Sequence, residues 1–223
     1  MPLKIPRAIL FDLDGTLADT APDLAGAVNR MQVRRGVEPT PYPWLRPVAS
    51  AGARGLLGVG FGIQPADENF IAMRDEFFDT YAAGLMIESR LFEGVPALLA
   101  SLTERGIVWG VVTNKSSRFS EPLVQQIGLQ QTACLVSGDT TAYTKPHAEP
   151  LLEAARRIAI APEDCWYVGD DLRDIQAGCA AGMPTVAAAW GYCGNTEAAS
   201  WGADAEAAAP LDILKLLANL ASP

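Results

Sequence analysis

The sequence predicts an α/β protein, with a parallel sheet flanked by helices and a small all-helical domain inserted after the first strand. Three observations lead there. Short apolar runs alternate with helical patterns through the second half of the chain, the mark of βαβ units. Several of those helical patterns stop at glycine, which readily takes the left-handed backbone that ends a helix. The stretch from about residue 18 to 90 breaks this rhythm with helix and turn signals of its own.

The first strand is "AILFD", residues 8–12, an apolar run that stops at two aspartates, Asp12 and Asp14. Thr20 with Asp23 three positions later has the form of a capping box, and Leu24, Val28 and Met31 follow at helical spacing until Gly36. A proline-rich turn, "PTPYP", and a glycine-rich segment, "SAGARGLLGVGFG", come next. Phe70, Phe77, Phe78 and Tyr81 then share a face of an amphipathic helix, and are expected to form the core of the insert rather than a ligand platform. These signals divide the chain into a core of residues 1–17 and 91–223 and an inserted domain of residues 18–90.

Beyond the insert, a helix is predicted from Val95 to Arg105 before Gly106, followed by the strand run "VWGVVTN". A second helix runs from Arg118 to Ile127 before Gly128, followed by the runs "CLVSG" and "CWYVGD". A third helix, Asp174 to Ala181 before Gly182, leads into "TVAAAW". A last strand falls within "ADAEAAA" against the helical leaning of alanine and glutamate, and a last helix covers Leu211 to Leu220.

At 223 residues with 49% of them hydrophobic, the chain is long enough for one main domain carrying a sizeable insert. A formal charge of −9 argues against nucleic acid or an anionic membrane surface as the main partner. A small anionic substrate stays open if a metal and a few cations reverse the local field. Cys134, Cys165, Cys179 and Cys193 form no C-x-x-C pair, which points to reduced thiols in a cytoplasmic protein rather than to zinc or disulfides. The apolar run Ala8 to Phe11 ends too early for a signal peptide. The uncharged stretch Ile175 to Thr196 is broken by Gln176, Pro184, Asn195 and four glycines, so it reads as helix, turn and strand rather than a membrane span.

In a parallel α/β sheet, ligands bind beyond the carboxyl ends of the strands. That is where the chemistry of this sequence collects: Asp12 and Asp14 after the first run, Thr113 and Asn114 after the second, Lys145 after the third, and Asp170, Asp171 and Asp174 after the fourth. Each has an ordinary structural explanation taken singly, as a turn former, a helix cap or a solvated lysine. Their joint placement along one sheet edge is what points to a site.

"DLDGT", "VVTN", "KP" and "GDDLRD", each after an apolar strand run and in this order, resemble the four motifs of the haloacid dehalogenase superfamily over nearly the whole chain. "SGDTTAYTKPHAEP" and "WGVVTNK" look most like its phosphoglycolate phosphatase branch, whose bacterial relatives include N-acetylmuramic acid 6-phosphate phosphatases. The resemblance implies a Rossmann-like core and a helical cap over the site. It also implies a Mg²⁺-dependent phosphatase acting on a small phosphorylated metabolite. Asp12 would attack phosphorus, and Asp14 would serve as general acid and then general base. Asp12, the backbone carbonyl of Asp14, and Asp170 would ligate Mg²⁺, with Asp174 and Asp171 holding its waters. Thr113, Asn114 and Lys145 would bind the phosphoryl group. Two carboxylates facing a phosphate need such cations, since one unit-charge pair at about 4 Å repels by roughly 4 kcal/mol at an effective dielectric of about 20.

Arg54 in "SAGARG", and Arg46, are candidates for a substrate carboxylate, because guanidinium suits bidentate recognition. Asp19 is a candidate substrate contact or a helix start, and the single histidine, His147, reads as a loop residue. Asp14 and the absence of lysine from residues 18–90 set the chain apart from haloacid dehalogenases and phosphonoacetaldehyde hydrolases. A β-phosphoglucomutase-like enzyme shares every core motif. A receiver-like phosphoryl switch also uses acids, Mg²⁺, a hydroxyl and a lysine, but has no acid two positions beyond its phosphorylated aspartate and no cap.

Overall fold

Ala8–Phe11 forms β1, at the centre of a sheet whose inner strands are buried on both faces, as continuous apolar runs require. The computed structural model describes residues 3–194 and 197–221; Asn195 and Thr196 of the uncharged stretch lie outside them. β1 is followed by β2 (Ala18–Asp19), which pairs antiparallel with β3 (Arg90–Leu91) in a two-stranded ribbon. Between β2 and β3 the chain is helical: α1 (Ala21–Arg34), α2 (Tyr42–Leu45), α3 (Gly52–Phe61) and α4 (Phe70–Ala82).

After β3 come α5 (Val95–Glu104), β4 (Val108–Val112), α6 (Ser117–Ile127), β5 (Leu135–Val136), α7 (Glu149–Ile158) and β6 (Cys165–Gly169). They are followed by α8 (Leu172–Ala180), β7 (Thr185–Ala188), β8 (Ala205–Ala207) and α9 (Asp212–Ala221). Among the described residues the main sheet has the order β5-β4-β1-β6-β7-β8, and every pairing in it is parallel. The α/β class and all the strand runs are therefore realised, including the one in "ADAEAAA", where pairing with β7 outweighs local propensity.

Period-two alternation divides β1 between two cores. Ile9 and Phe11 pack with Leu98 and Leu102 of α5 and Ile213 and Leu217 of α9. Ala8 and Leu10 pack on the other side with Leu151 and Ala154 of α7 and Ala177 of α8. A third core joins α1, α3 and α4 through Leu24, Val28, Leu56, Phe77 and Tyr81, and takes in Phe119 of α6 and Tyr192. No helix among the described residues is long and apolar enough to cross a membrane.

Three local expectations are corrected. The Thr20 hydroxyl does not cap α1 but donates to Asp14 Oδ1, and Asp23 accepts from the backbone of Glu88 and Ser89. The helix start does not need that cap, because Pro22 carries no N–H and the Ala21 N–H donates to Tyr192 Oη at 2.8 Å. α8 begins at Leu172 rather than Asp174, since Asp171 is its N-cap and Asp174 closes the reciprocal capping box. Finally, α7 is a helix beyond the expected set: Leu151, Ala154, Ala155 and Ile158 have helical spacing, and it covers the face of β4 and β5.

Candidate active site

The chain runs from β1 to β4 and β5 on one side and to β6, β7 and β8 on the other, so its topological switch lies beside β1. At that point the carboxyl ends of β1, β4 and β6 deliver Asp12 and Asp14, Thr113 and Asn114, and Asp170 and Asp171. The loop after β5 adds Lys145. A cavity of about 310 Å³ opens between these ends and the helices that follow β2, with Asp12, Asp14, Thr113, Asn114, Lys145, Asp171 and Asp174 in its wall.

Lys145 is the electrostatic centre. Its ammonium, 3% exposed, lies 2.8 Å from Asp12 Oδ1 and 2.7 Å from Asp174 Oδ1. It also donates to Val112 O at 3.1 Å and Tyr167 Oη at 2.8 Å. Burial alone would lower its proton affinity, but Asp12 and Asp174 carry it above the ordinary lysine value. Its backbone is clamped by Asn114, whose side chain accepts from the Lys145 N–H and donates to the Lys145 carbonyl, both at 2.9 Å. The strand end carrying Thr113 thus fixes the loop that carries the lysine.

One ammonium does not balance the acids around it. Ligand oxygens of Asp12, Asp170 and Asp174 all lie within 4.8 Å of one another, and all three residues are buried. Burial pushes the Asp12 carboxyl up to about 7 in the chain alone; Lys145 opposes this, and Asp174 and Asp14 add to it. Asp170 is driven well above the usual carboxylate range by burial, then by Asp12 and Asp174. The one protein contact of Asp12 Oδ1 among the described residues is the Lys145 ammonium. A buried all-oxygen cluster whose three carboxyl groups share one ammonium fits a hard divalent cation such as Mg²⁺.

The backbone is shaped around Asp170. Thr16 Oγ1 and the Tyr192 N–H donate to its two oxygens at 2.8 and 2.9 Å. Gly15 has φ +89°, and a Cβ there would fall 2.2 Å from Asp170 Oδ2; at Gly191 it would fall 2.2 Å from Asp170 Cβ. Only glycine permits both approaches.

Asp14 faces a different partner. Lys115 Nζ lies 2.9 Å from Asp14 Oδ1, with the lysine side chain 7% exposed and the aspartate 14%. The same ammonium sits 4.9 Å from the ring centroid of Tyr81 on α4. Sequence reasoning passed over Lys115, although it directly follows Thr113 and Asn114; that adjacency to a strand end was the available signal. It also passed over Arg173, which lines the cavity, pairs with Asp171 and donates to Ser50 O at 2.7 Å. Tyr192 was missed as well: its hydroxyl accepts from the Thr20 and Ala21 N–H groups and donates to Asp19, tying the Asp170 loop to the start of α1.

Other expected residues lie elsewhere. Arg54 is exposed and outside the cavity wall, although its neighbours Gly52 and Ala53 line it. Arg46 lies over the Tyr192 ring at 5.0 Å and donates to Gly191 O, also outside the wall. Asp19 is held by Tyr192 at 3.0 Å, away from the cavity. His147 stacks on Tyr143 and accepts from the Glu149 N–H, as a loop residue would. The aromatic face of α4 does two things: Phe77 and Tyr81 are buried in the helical core, and together with Phe78 they also form a wall of the cavity.

Comparison with known proteins agrees with this geometry. The family model for haloacid dehalogenase-like hydrolases matches residues 9–188. A phosphoglycolate phosphatase of Xanthomonas campestris pv. campestris (strain 8004) is 48% identical over 204 residues, covering 91% of this chain and 92% of its own. An N-acetylmuramic acid 6-phosphate phosphatase of Pseudomonas putida is 40% identical over 213 residues, covering 95% and 96%. A crystal structure of a predicted phosphoglycolate phosphatase from Haemophilus somnus 129PT superposes with a TM-score of 0.84 at 26% identity, covering 96% of this chain and 99% of that one.

Proposed function

Because the chain belongs to the haloacid dehalogenase-like hydrolase family, we propose that the cavity at the end of β1 hydrolyses a small phosphate monoester through an aspartyl-phosphate on Asp12, with Mg²⁺ as cofactor and phosphoglycolate as the leading substrate. The observation that carries this reading is the convergence of Asp12, Asp14, Thr113 and Lys145 on one cavity wall. Family membership and the acid at position 14 set aside a receiver-like switch. A cytoplasmic setting goes with the proposal, supported by the unpaired state of Cys134, Cys165, Cys179 and Cys193.

In this scheme a carboxylate oxygen of Asp12 forms a bond to phosphorus as the bond to the ester oxygen breaks. Asp14 gives its proton to the departing oxygen, then takes one from the water that attacks the phosphorus of the aspartyl-phosphate, which restores Asp12 and releases phosphate. Lys145 holds Asp12 in place and offsets the charge of the phosphoryl oxygens, while Thr113 and the backbone after β4 supply hydrogen bonds to them. Asp12, Asp170 and the Asp14 carbonyl would hold Mg²⁺, with Asp174 and Asp171 beside them. Bound there, the cation would neutralise negative charge on the phosphoryl group.

Asp14→Asn tests the second carboxylate. Its steady-state rate is expected to fall about 10²–10⁴-fold, the usual range for general acid–base help. With p-nitrophenyl phosphate, whose leaving group needs no proton, the variant should release a burst of about one equivalent of nitrophenol before slow turnover, because only the hydrolytic half needs the base. A wild-type steady-state rate would refute the role.

A second substrate has an observation in its favour. The cavity of about 310 Å³ is walled by Phe77, Phe78, Tyr81 and Phe119, giving room and an apolar face to a sugar ring, as N-acetylmuramic acid 6-phosphate would need. Comparing kcat/KM for the two compounds, with β-glucose 1-phosphate as control for a mutase, decides between them. The expected order puts phosphoglycolate first; a preference of tenfold or more for the sugar phosphate reverses the assignment.

A further inference from the structure

We propose that Lys115 and Tyr81 together form the seat for a carboxylate on the leaving group, so that the enzyme selects phosphate esters of short 2-hydroxy acids. This rests on the phosphatase reading above and adds the residues that would choose the substrate.

Three observations converge. The first is the Lys115 ammonium itself: a cation 7% exposed, with three protons to donate, whose one carboxylate partner among the described residues is Asp14 Oδ1 and whose other neighbour is Tyr81. Its side chain stands in the cavity wall, between Asp14 and the Tyr81 ring. The second is a pair of unsatisfied groups in the same wall. The hydroxyls of Tyr81 and Ser50 are buried and have no acceptor for their protons among the described residues; Tyr81 Oη faces the Lys115 ammonium, which can only donate to it. Each such group costs about 1–3 kcal/mol when left unmade, so orphans lining a cavity mark where a polar ligand belongs.

The third observation is position. Of the cations in the wall, Lys145 is held by Asp12 and Asp174, on the side of the attacking carboxylate. Arg173 is engaged with Asp171 and Ser50 O. Lys115 alone touches Asp14, the group assigned to the departing oxygen. A carboxylate one carbon from that oxygen would meet an ammonium already desolvated and oriented by Asp14, and a phenol proton with no other acceptor. Arg54, exposed and outside the wall, does not compete for this role.

The test compares phosphoglycolate with ethyl phosphate, which has the same two-carbon frame without the carboxylate, in Mg²⁺ buffer. Wild type is expected to prefer phosphoglycolate. Lys115→Met should reduce that preference about 10- to 100-fold, as expected for a hydrogen bond between charged groups worth about 1.5–3 kcal/mol. Lys115→Arg should retain part of it. Tyr81→Phe, which keeps the ring in the helical core and removes a hydroxyl whose proton has no acceptor among the described residues, should stay folded and reduce the preference about threefold or more, so the test survives a poorly folded Lys115 variant. Equal losses on both esters in the Lys115→Met and Tyr81→Phe proteins would overturn the proposal, since Lys115 would then act only through Asp14. A wild type indifferent to the carboxylate overturns it as well. Failure of wild type on both esters while it still hydrolyses p-nitrophenyl phosphate overturns the proposal alone; failure on p-nitrophenyl phosphate as well sinks the phosphatase reading on which it rests.

Discussion

Asp12→Asn is expected to abolish turnover on every phosphate ester while leaving the protein folded. Phosphate-monoester hydrolysis is so slow unaided that enzymes reach enhancements of up to about 10²¹-fold, and no background rate is fast enough to conceal loss of the nucleophile. The amide that replaces the carboxylate is nearly isosteric but lacks the negative charge that makes a carboxylate oxygen nucleophilic enough to displace the ester oxygen. Lys145 keeps Asp174 at 2.7 Å, so its ammonium is not stranded when Asp12 loses its charge. The melting temperature should therefore move by only a few degrees. Rapid-quench measurement with p-nitrophenyl phosphate should show no burst of nitrophenol. A phosphoenzyme trapped on the asparagine protein would contradict the assignment of Asp12.

Lys145→Met should act on both activity and stability. The lysine is the only cation in contact with Asp12 and Asp174 among the described residues, and removing one partner from a buried ion cluster typically costs about 3–5 kcal/mol. For a chain of this length that is roughly 10 °C in Tm. The loss should depend on pH in a defined direction. Asp12 already titrates at about 7 through burial, with Lys145 the leading force holding it down. Without the ammonium its folded value rises further above that of the unfolded chain. A carboxyl raised in the folded state favours folding only while protonated, so stability declines as pH climbs from the unfolded value toward the folded one. In EDTA, with no added cation, the variant should thus trail wild type by more at pH 7.5 than at pH 5.5. Thermal denaturation at the two values measures this, and a larger deficit at the lower pH would show that the buried acids are not what Lys145 balances.

The legible part of the molecule had a common physical origin. β1, β4 and β6 are buried on both faces and so appear as unbroken apolar runs, and the residues that end each run lie at its carboxyl end by construction. Asp12, Asp14, Thr113 and Asp170 could be placed at one edge for that reason. Lys145 could be placed because the loop after β5 must return to the same edge. The Thr20 capping box failed because a hydroxyl has several possible acceptors, and the local pattern does not reveal that Asp14, six residues earlier, is the nearer one. Arg54 failed as a cavity residue because a glycine-rich segment shows helical content without showing which face of α3 meets the core.

The sequence by itself determined the parallel sheet, the order of its runs and the set of acids, hydroxyl and lysine at their ends, since burial period and strand direction are local properties. Only the tertiary structure decided which cations stand against which acids: Lys145 between Asp12 and Asp174, Lys115 against Asp14 beneath Tyr81, and Arg173 turned to Asp171. Those pairings join residues up to 133 positions apart, from Asp12 to Lys145. They follow from how the parallel sheet sets the ends of β1, β4 and β6 and the loop after β5 side by side, because a buried charge takes the partner that packing brings within about 3 Å, wherever that partner stands in the chain.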